Sequence, residues 1–162
     1  MKIITDRLTV RPLSVKDRAA MQAVLIDFEN SDMFMYDYKA PTDSNTISTL
    51  IPLWVKSSRY YTICLNCTGE IIGFLSMVGD ELGFTMKSAH KRQGYGYEAA
   101  HALLSYLSRR RSMNRFTAQA ALENTRSVKL LKKLGFTVQS TEYVQFRESM
   151  PSVECGNFLL EL

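Results

Sequence analysis

The residues best spaced for chemistry lie in one stretch, Lys91-Arg92-Gln93-Gly94-Tyr95-Gly96-Tyr97. It follows the run Glu81-Leu82-Gly83-Phe84-Thr85-Met86 and leads into Ala99, Ala100, Leu103, Leu104 and Leu107, which recur at helical spacing. A strand that passes through a basic, glycine-containing loop into a helix aims free N–H groups and the positive dipole end at one point, and glycines let an anion approach the main chain. The chemistry predicted there is binding of a phosphate or pyrophosphate. A P-loop is excluded because no G-x-x-x-x-G-K-[ST] occurs, and the dinucleotide fingerprint fails where Ala99 stands in place of its third glycine.

Other reactive groups are sparse. Cys64 and Cys67 form a C-x-x-C, but only Cys155, His90 and His101 remain as further thiol or imidazole ligands, none with partner spacing for a closed zinc site. Strand alternation also sends positions 64 and 67 to opposite faces. No metal is therefore expected. An odd number of cysteines, 3, fits reduced thiols. Residues Met1 to Arg7 lack an apolar leader core, and no run of about eighteen apolar residues occurs, so a cytoplasmic location and no membrane partner are expected.

The elements that must position the loop follow from hydrophobic period. Ile4 to Pro12 reads as a strand; Ser14 and Asp17 make a capping signal ahead of a helix bearing Met21, Val24, Leu25 and Phe28. Asn30 to Pro41 has no period and carries Phe34, Tyr36 and Tyr38, a loop that covers either a pocket or the body of the protein. With a cap at 42–44, Ile47, Leu50, Ile51 and Trp54 mark a second helix, which Pro52 should kink or divide. Strands are expected over 59–66, 71–78 and 81–86, then the helix from about Gly96, then a short strand with Phe116, Ala118 and Ala120. Asn124 caps a helix with Val128, Leu131 and Leu134 inward and Gly135 at its end; 136–146 and 153–162 form a final hairpin. The order predicts one α/β (α+β) domain over 1–162, a mixed, mostly antiparallel sheet of about seven strands with about four helices.

The chain has 162 residues, about one domain, with 46% hydrophobic and 22% charged residues, which excludes a disordered or fibrous protein. Its formal net charge is +4. Basic residues are not clustered with stacking aromatics on a strand face, so no nucleic-acid partner is expected.

Three blocks of the sequence resemble the GNAT superfamily of N-acetyltransferases, which use acetyl-CoA. Lys91 to Gly96 is similar to its [Q/R]-x-x-G-x-[G/A] motif, with lysine at the first position. Glu123-Asn124-Thr125-Arg126-Ser127-Val128-Lys129-Leu130-Leu131-Lys132-Lys133-Leu134-Gly135-Phe136 resembles the E-N-x-x-S-x-x-L-L-x-K-L-G-F of the ribosomal-protein N-terminal acetyltransferase branch, and Thr5 to Leu13 resembles that branch's first strand. The resemblance implies that the pantetheine arm lies along Phe84, Thr85 and Met86 in a splayed gap. It places the pyrophosphate on the amides of Arg92, Gln93, Gly94, Tyr95, Gly96 and Tyr97, with Asn124 and Ser127 toward the cofactor; Lys91, Arg92, Arg126 and Lys129 are the candidate cations for its phosphates, or else solvated charges. Asn124 also reads simply as a helix cap.

The implied reaction is direct attack of a primary amine, of a small molecule or a protein N-terminus, on the thioester in a ternary complex. Many relatives supply an acid from a tyrosine seven residues after the motif asparagine; here that position is Leu131, which leaves Ser127 as the candidate acid. Glu81 and Glu142 are the candidate bases, or else exposed strand charges. Phe34, Tyr36, Tyr38 and Trp54 are the candidate substrate wall. The alternative is a non-catalytic CoA-binding or interaction module on the same fold, and a homodimer through the final hairpin or the aromatic loop is compatible with either.

Overall fold

A computed structural model describes residues 1–162. The strands are β1 (Ile3–Ile4), β2 (Leu8–Pro12), β3 (Tyr60–Leu65), β4 (Ile71–Val78), β5 (Glu81–Met86), β6 (Arg115–Ala121), β7 (Thr137–Val144) and β8 (Val153–Glu161). The helices are α1 (Arg18–Glu29), α2 (Ser44–Ser57), α3 (Tyr95–Arg111) and α4 (Thr125–Lys133). All strands join one 8-stranded sheet in the order β1-β2-β3-β4-β5-β6-β8-β7. Neighbours are antiparallel except β5 and β6.

The expected α/β architecture is present, with eight strands rather than about seven. The extra strand arises because the first predicted strand folds back on itself at Thr5. The Thr5 N–H donates to the Leu8 carbonyl at 2.8 Å and the Leu8 N–H to Thr5 Oγ1 at 3.0 Å, so β1 and β2 pair as a hairpin. Pro52 does not divide the second helix. It lies on the exposed face, where the Ser48 carbonyl that loses its ladder partner is also at the surface. The cap of α2 is Asp43, whose carboxylate accepts from the Thr46 N–H at 2.8 Å. Ser14 and Asp17 form the capping box read from the sequence, and the Arg11 guanidinium grips Asp17 at 2.7 and 2.8 Å, tying the start of α1 to β2.

Alternation along the strands builds a core on each side of the sheet. Leu8, Ile63, Ile72, Leu103, Phe116 and Phe158 belong to the larger core, under α3 and α4. Met21, Val24, Ile47, Ile51 and Phe74 belong to the smaller one, under α1 and α2. Helices α1 and α2 stop short of β6, β8 and β7. On that side Thr117, Gln119, Asn157 and Glu142 line an open groove of about 420 Å³ instead of a packed interface. Cys64 is buried in the smaller core and Cys67 is exposed on the β3–β4 turn. No helix is long and apolar enough to cross a membrane.

Candidate active site

The two halves of the sheet meet at a single register pair, Glu81 with Thr117, held by the Thr117 N–H donating to the Asp80 carbonyl at 2.9 Å. Beyond it β5 and β6 diverge. Which groups of β5 face the resulting gap follows from antiparallel alternation with β4: the Lys87 N–H donates to the Ile72 carbonyl at 2.8 Å, so Glu81, Gly83 and Thr85 also turn their main-chain groups to β4. Phe84 and Met86 therefore turn theirs into the gap. Of the three residues expected along the cofactor arm, Thr85 spends its main chain on β4. A strand edge that lacks its neighbour inside a sheet is an adhesive surface for any extended amide-bearing chain.

The gap leads to the loop before α3. Arg92 and Gly94 both have left-handed backbone, φ +63° and +81°, on either side of Gln93, which curls the chain into a concave run of amides. The first ladder bond of α3 runs from the Glu98 N–H to the Gly94 carbonyl, 3.0 Å, and Gly94 supplies no side-chain cap. The N–H groups of Tyr95, Gly96 and Tyr97 precede that bond, and those of Arg92, Gln93 and Gly94 pair with no main-chain carbonyl. At Gly96 a Cβ would sit 3.3 Å from Leu130 Cδ2, so glycine here lets α3 approach α4.

Residues outside the loop hold it in shape. Arg7 donates to the Gln93 carbonyl at 2.9 Å, pairs with Glu98 at 2.7 Å and lies 4.5 Å from the centre of the Tyr95 ring. Glu98 also accepts from the Thr5 hydroxyl at 2.6 Å and the Arg7 N–H at 3.0 Å. Burial pushes the Glu98 carboxyl up, but these donors outweigh it and hold it below the usual carboxylate range. Asp27 of α1 accepts from the N–H and hydroxyl of Ser88, at 2.8 and 3.0 Å, and fixes the other end of the loop. Arg7 and Glu98 lie inside the segments singled out by sequence, yet only the fold shows that they meet. No sequence signal pointed to Asp27.

On the far side of the gap, the Asn124 side chain accepts from the Ser127 N–H at 3.2 Å and caps α4. Ser127 is half-buried, and Leu131, at the position of the relatives' tyrosine, is 0% exposed in the core. Arg126 reaches Asp32 at 3.7 Å. Burial holds the Lys91 ammonium below the usual lysine range; Asp27 and Asp32 oppose this and Arg126 adds to it. Lys129 is exposed on α4.

Glu81 and Glu142 line the same groove on the α1–α2 side, although they belong to β5 and β7. Gln119 Nε2 donates to Glu142 Oε1 at 2.8 Å and to Asn157 Oδ1 at 3.0 Å. Of the four aromatics expected to form one wall, Phe34 and Tyr38 converge with Phe146 and Arg147: Tyr38 meets the Phe146 ring edge-on at 5.1 Å, and Arg147 lies 5.4 Å from the centre of the Phe34 ring. Tyr36 is half-buried on the same loop. Trp54 is separate. It stacks on Tyr60 at 4.8 Å and packs on the smaller core.

An antiparallel sheet interrupted by one splayed parallel pair, with an amide cradle at the end of the splay, defines a class, and sequence comparison names it. The family model of the acetyltransferase (GNAT) domain matches residues 7–137, and the chain belongs to this family of acyltransferase domains. It is 37% identical over 83 residues to the uncharacterized N-acetyltransferase YjdG of Bacillus subtilis, a match covering 46% of this chain and 49% of that protein, so about half of that relative's length is spanned. Among solved structures, the ribosomal-protein-S5-alanine acetyltransferase of Vibrio fischeri superposes with a TM-score of 0.87 at 14% identity, over 99% of this chain and 96% of that one. A ribosomal alpha-N-protein acetyltransferase in complex with coenzyme A superposes with a TM-score of 0.82 at 14% identity, over 100% and 98%. These likenesses establish the fold.

Proposed function

We propose that this protein transfers the acetyl group of acetyl-CoA to a primary amine, of a small molecule or a protein N-terminus, by direct attack in a ternary complex. The observation that carries the reading is the continuity of the β5–β6 gap with the amide run at residues 92–97. Pantetheine carries two amides, which suit the open main-chain groups of Phe84 and Met86. Its pyrophosphate suits the N–H groups that follow, with Lys91 and Arg126 supplying charge. The residues present thus fit the pantetheine and pyrophosphate parts of the cosubstrate.

In the reaction the amine nitrogen bonds to the thioester carbonyl carbon, the C–S bond breaks, and the thiolate takes up a proton. On this reading the developing oxyanion meets a gap-facing N–H of β5, that of Phe84 or Met86, a role in which one hydrogen bond is worth about 10²–10³ in rate. Glu81 and Glu142 line the groove from which an ammonium would approach, and a carboxylate there takes its proton directly or through water. Ser127 is the hydroxyl on the α4 side. A high-pKa hydroxyl is a weak acid, so the reading assigns it a modest role.

The test has two parts. Isothermal titration with acetyl-CoA should give saturable 1:1 binding, and its absence from the wild-type protein would sink the proposal. Free-thiol release over a panel of amines should then show turnover. Burial of Leu131 favours one rival, a CoA-binding module without chemistry. Binding without turnover on every amine class would support it.

A further inference from the structure

Arg147 stands on the β7–β8 loop, 118 residues from Glu29 at the end of α1, and is the most heavily engaged side chain outside the gap. Its Nη1 and Nη2 donate to the two Glu29 carboxylate oxygens at 3.0 and 2.8 Å. Its Nη2 also donates to the Phe34 carbonyl at 2.8 Å and lies 3.4 Å from that of Tyr38, and its Nε donates to the Asp37 carbonyl at 3.0 Å. Glu29 in turn accepts from the Ala40 N–H at 2.8 Å. The two side chains are 11% and 18% exposed.

Such a hub has a specific physical consequence. The segment 30–41 contains only a single short 3₁₀ turn, Phe34–Tyr36, and so has little regular ladder to hold its carbonyls. One guanidinium fork supplies the missing donors at three points, a geometry that a lysine ammonium cannot reproduce. The same contacts bring Phe34 against Arg147 and Tyr38 against Phe146, so the two loops form one surface. Asp32, in the same segment, reaches Arg126 at the start of α4, beside the gap. The surface thus borders the place where an acceptor would enter.

We propose that Arg147 is a positioning residue: through Glu29 and the carbonyls of Phe34, Asp37 and Tyr38 it locks the 30–41 segment to the β7–β8 loop and sets the shape of the acceptor entrance. The proposal rests on the acetyltransferase reading for its kinetic consequence, but the locking itself is independent of it. Both are tested on the full chain with Arg147→Ala and Arg147→Lys, using whichever of tyramine, spermidine or an alanyl hexapeptide amide the wild type turns over fastest. Arg147→Ala should raise the KM for that amine at least tenfold, change kcat less than threefold and leave the Kd for acetyl-CoA within twofold. Arg147→Lys should recover only part of the loss.

Hydrogen exchange without any ligand should show protection lost at residues 33–40 and retained in β5 and α3. Unchanged exchange at 33–40 in Arg147→Ala overturns the lock. Parallel loss of kcat, acetyl-CoA binding and protection throughout the sheet overturns a positioning role in favour of a general structural one, and if the alanine variant does not fold, the lysine variant is judged by the same criteria. If the wild type turns over none of the three amines, the kinetic consequence fails with the function reading. The exchange result then decides the lock alone.

Discussion

The two sides of the β5–β6 gap are built by different means. On the side of the amide cradle, the curve itself comes from the main chain, with left-handed residues at Arg92 and Gly94 and a helix start at Tyr95, while Arg7 and Asp27 brace the loop from across the fold. On the acceptor side, shape comes from side chains that meet across the fold, with Arg147 reaching Glu29 and Gln119 of β6 reaching Glu142 of β7. The first kind of site depends on a few glycines and tolerates change around them. On the Arg147 proposal, the second can be reshaped by one substitution without disturbing the first.

The sharpest break in this comparison is Gly94→Glu. It forces a side chain into a left-handed backbone and sets a carboxylate among amides that await an anion, so acetyl-CoA affinity should fall by about 100-fold or more in calorimetric titration. Retained affinity would mean that the cradle is not the phosphate site. Next, Glu81→Gln and Glu142→Gln separate the two base candidates. The variant of the true base should lose about 10²-fold in kcat/KM and the acid limb of its pH profile, while the other keeps both.

Smaller effects sharpen the comparison. Leu131→Tyr restores the relatives' residue but overfills a core position that is 0% exposed, so it should cost about 1–3 kcal/mol in urea unfolding without raising kcat. A rate increase would show that a hydroxyl can reach the gap from there. Asn124→Ala should cost about 1 kcal/mol through loss of the α4 cap, with acetyl-CoA binding falling only if the amide also touches the cofactor.

The gentlest test uses pH. Asp17 is pushed up by burial but held lower by Arg11 and the Ser14 N–H, and Glu29 is held low by Arg147 against the opposing effect of burial. Carboxyls whose folded pKa is depressed stabilise the protein above their unfolded value and lose that contribution as pH falls through the folded one. Thermal stability should therefore drop on acidification below about pH 4. In Asp17→Asn the drop should be shallower and start from a lower plateau.

This contrast also governs how much was legible in the sequence. The strand–loop–helix turn at 91–97, the Ser14–Asp17 box and the Asn124 cap were readable because each is set by residues close together in the chain. The fold class was readable from hydrophobic period and element order. The β5–β6 splay was known only through family resemblance, since no residue type marks a strand that fails to pair. That Phe84 and Met86, and not Thr85, face the gap depends on register with β4. Arg147 gave no signal, because a lone arginine in a turn looks solvated until its distant carboxylate is found. Trp54 misled for the related reason that an aromatic at helical spacing serves a core or a pocket equally well.

The one-pair seam between the sheet halves has a thermodynamic consequence. With a single register pair at Glu81 and Thr117, the edge beyond it is a place where the native state is under-bonded, and a molecule that fills it acts as a removable ninth strand. By mass action, a ligand present at 100 times its Kd adds about 2.7 kcal/mol to the free energy of unfolding if it binds only the folded chain. That is a large fraction of the stability of an ordinary domain. If the proposed cosubstrate is that molecule, the folded lifetime of the protein is linked to its supply, and depletion would be registered as turnover of the protein as well as loss of rate.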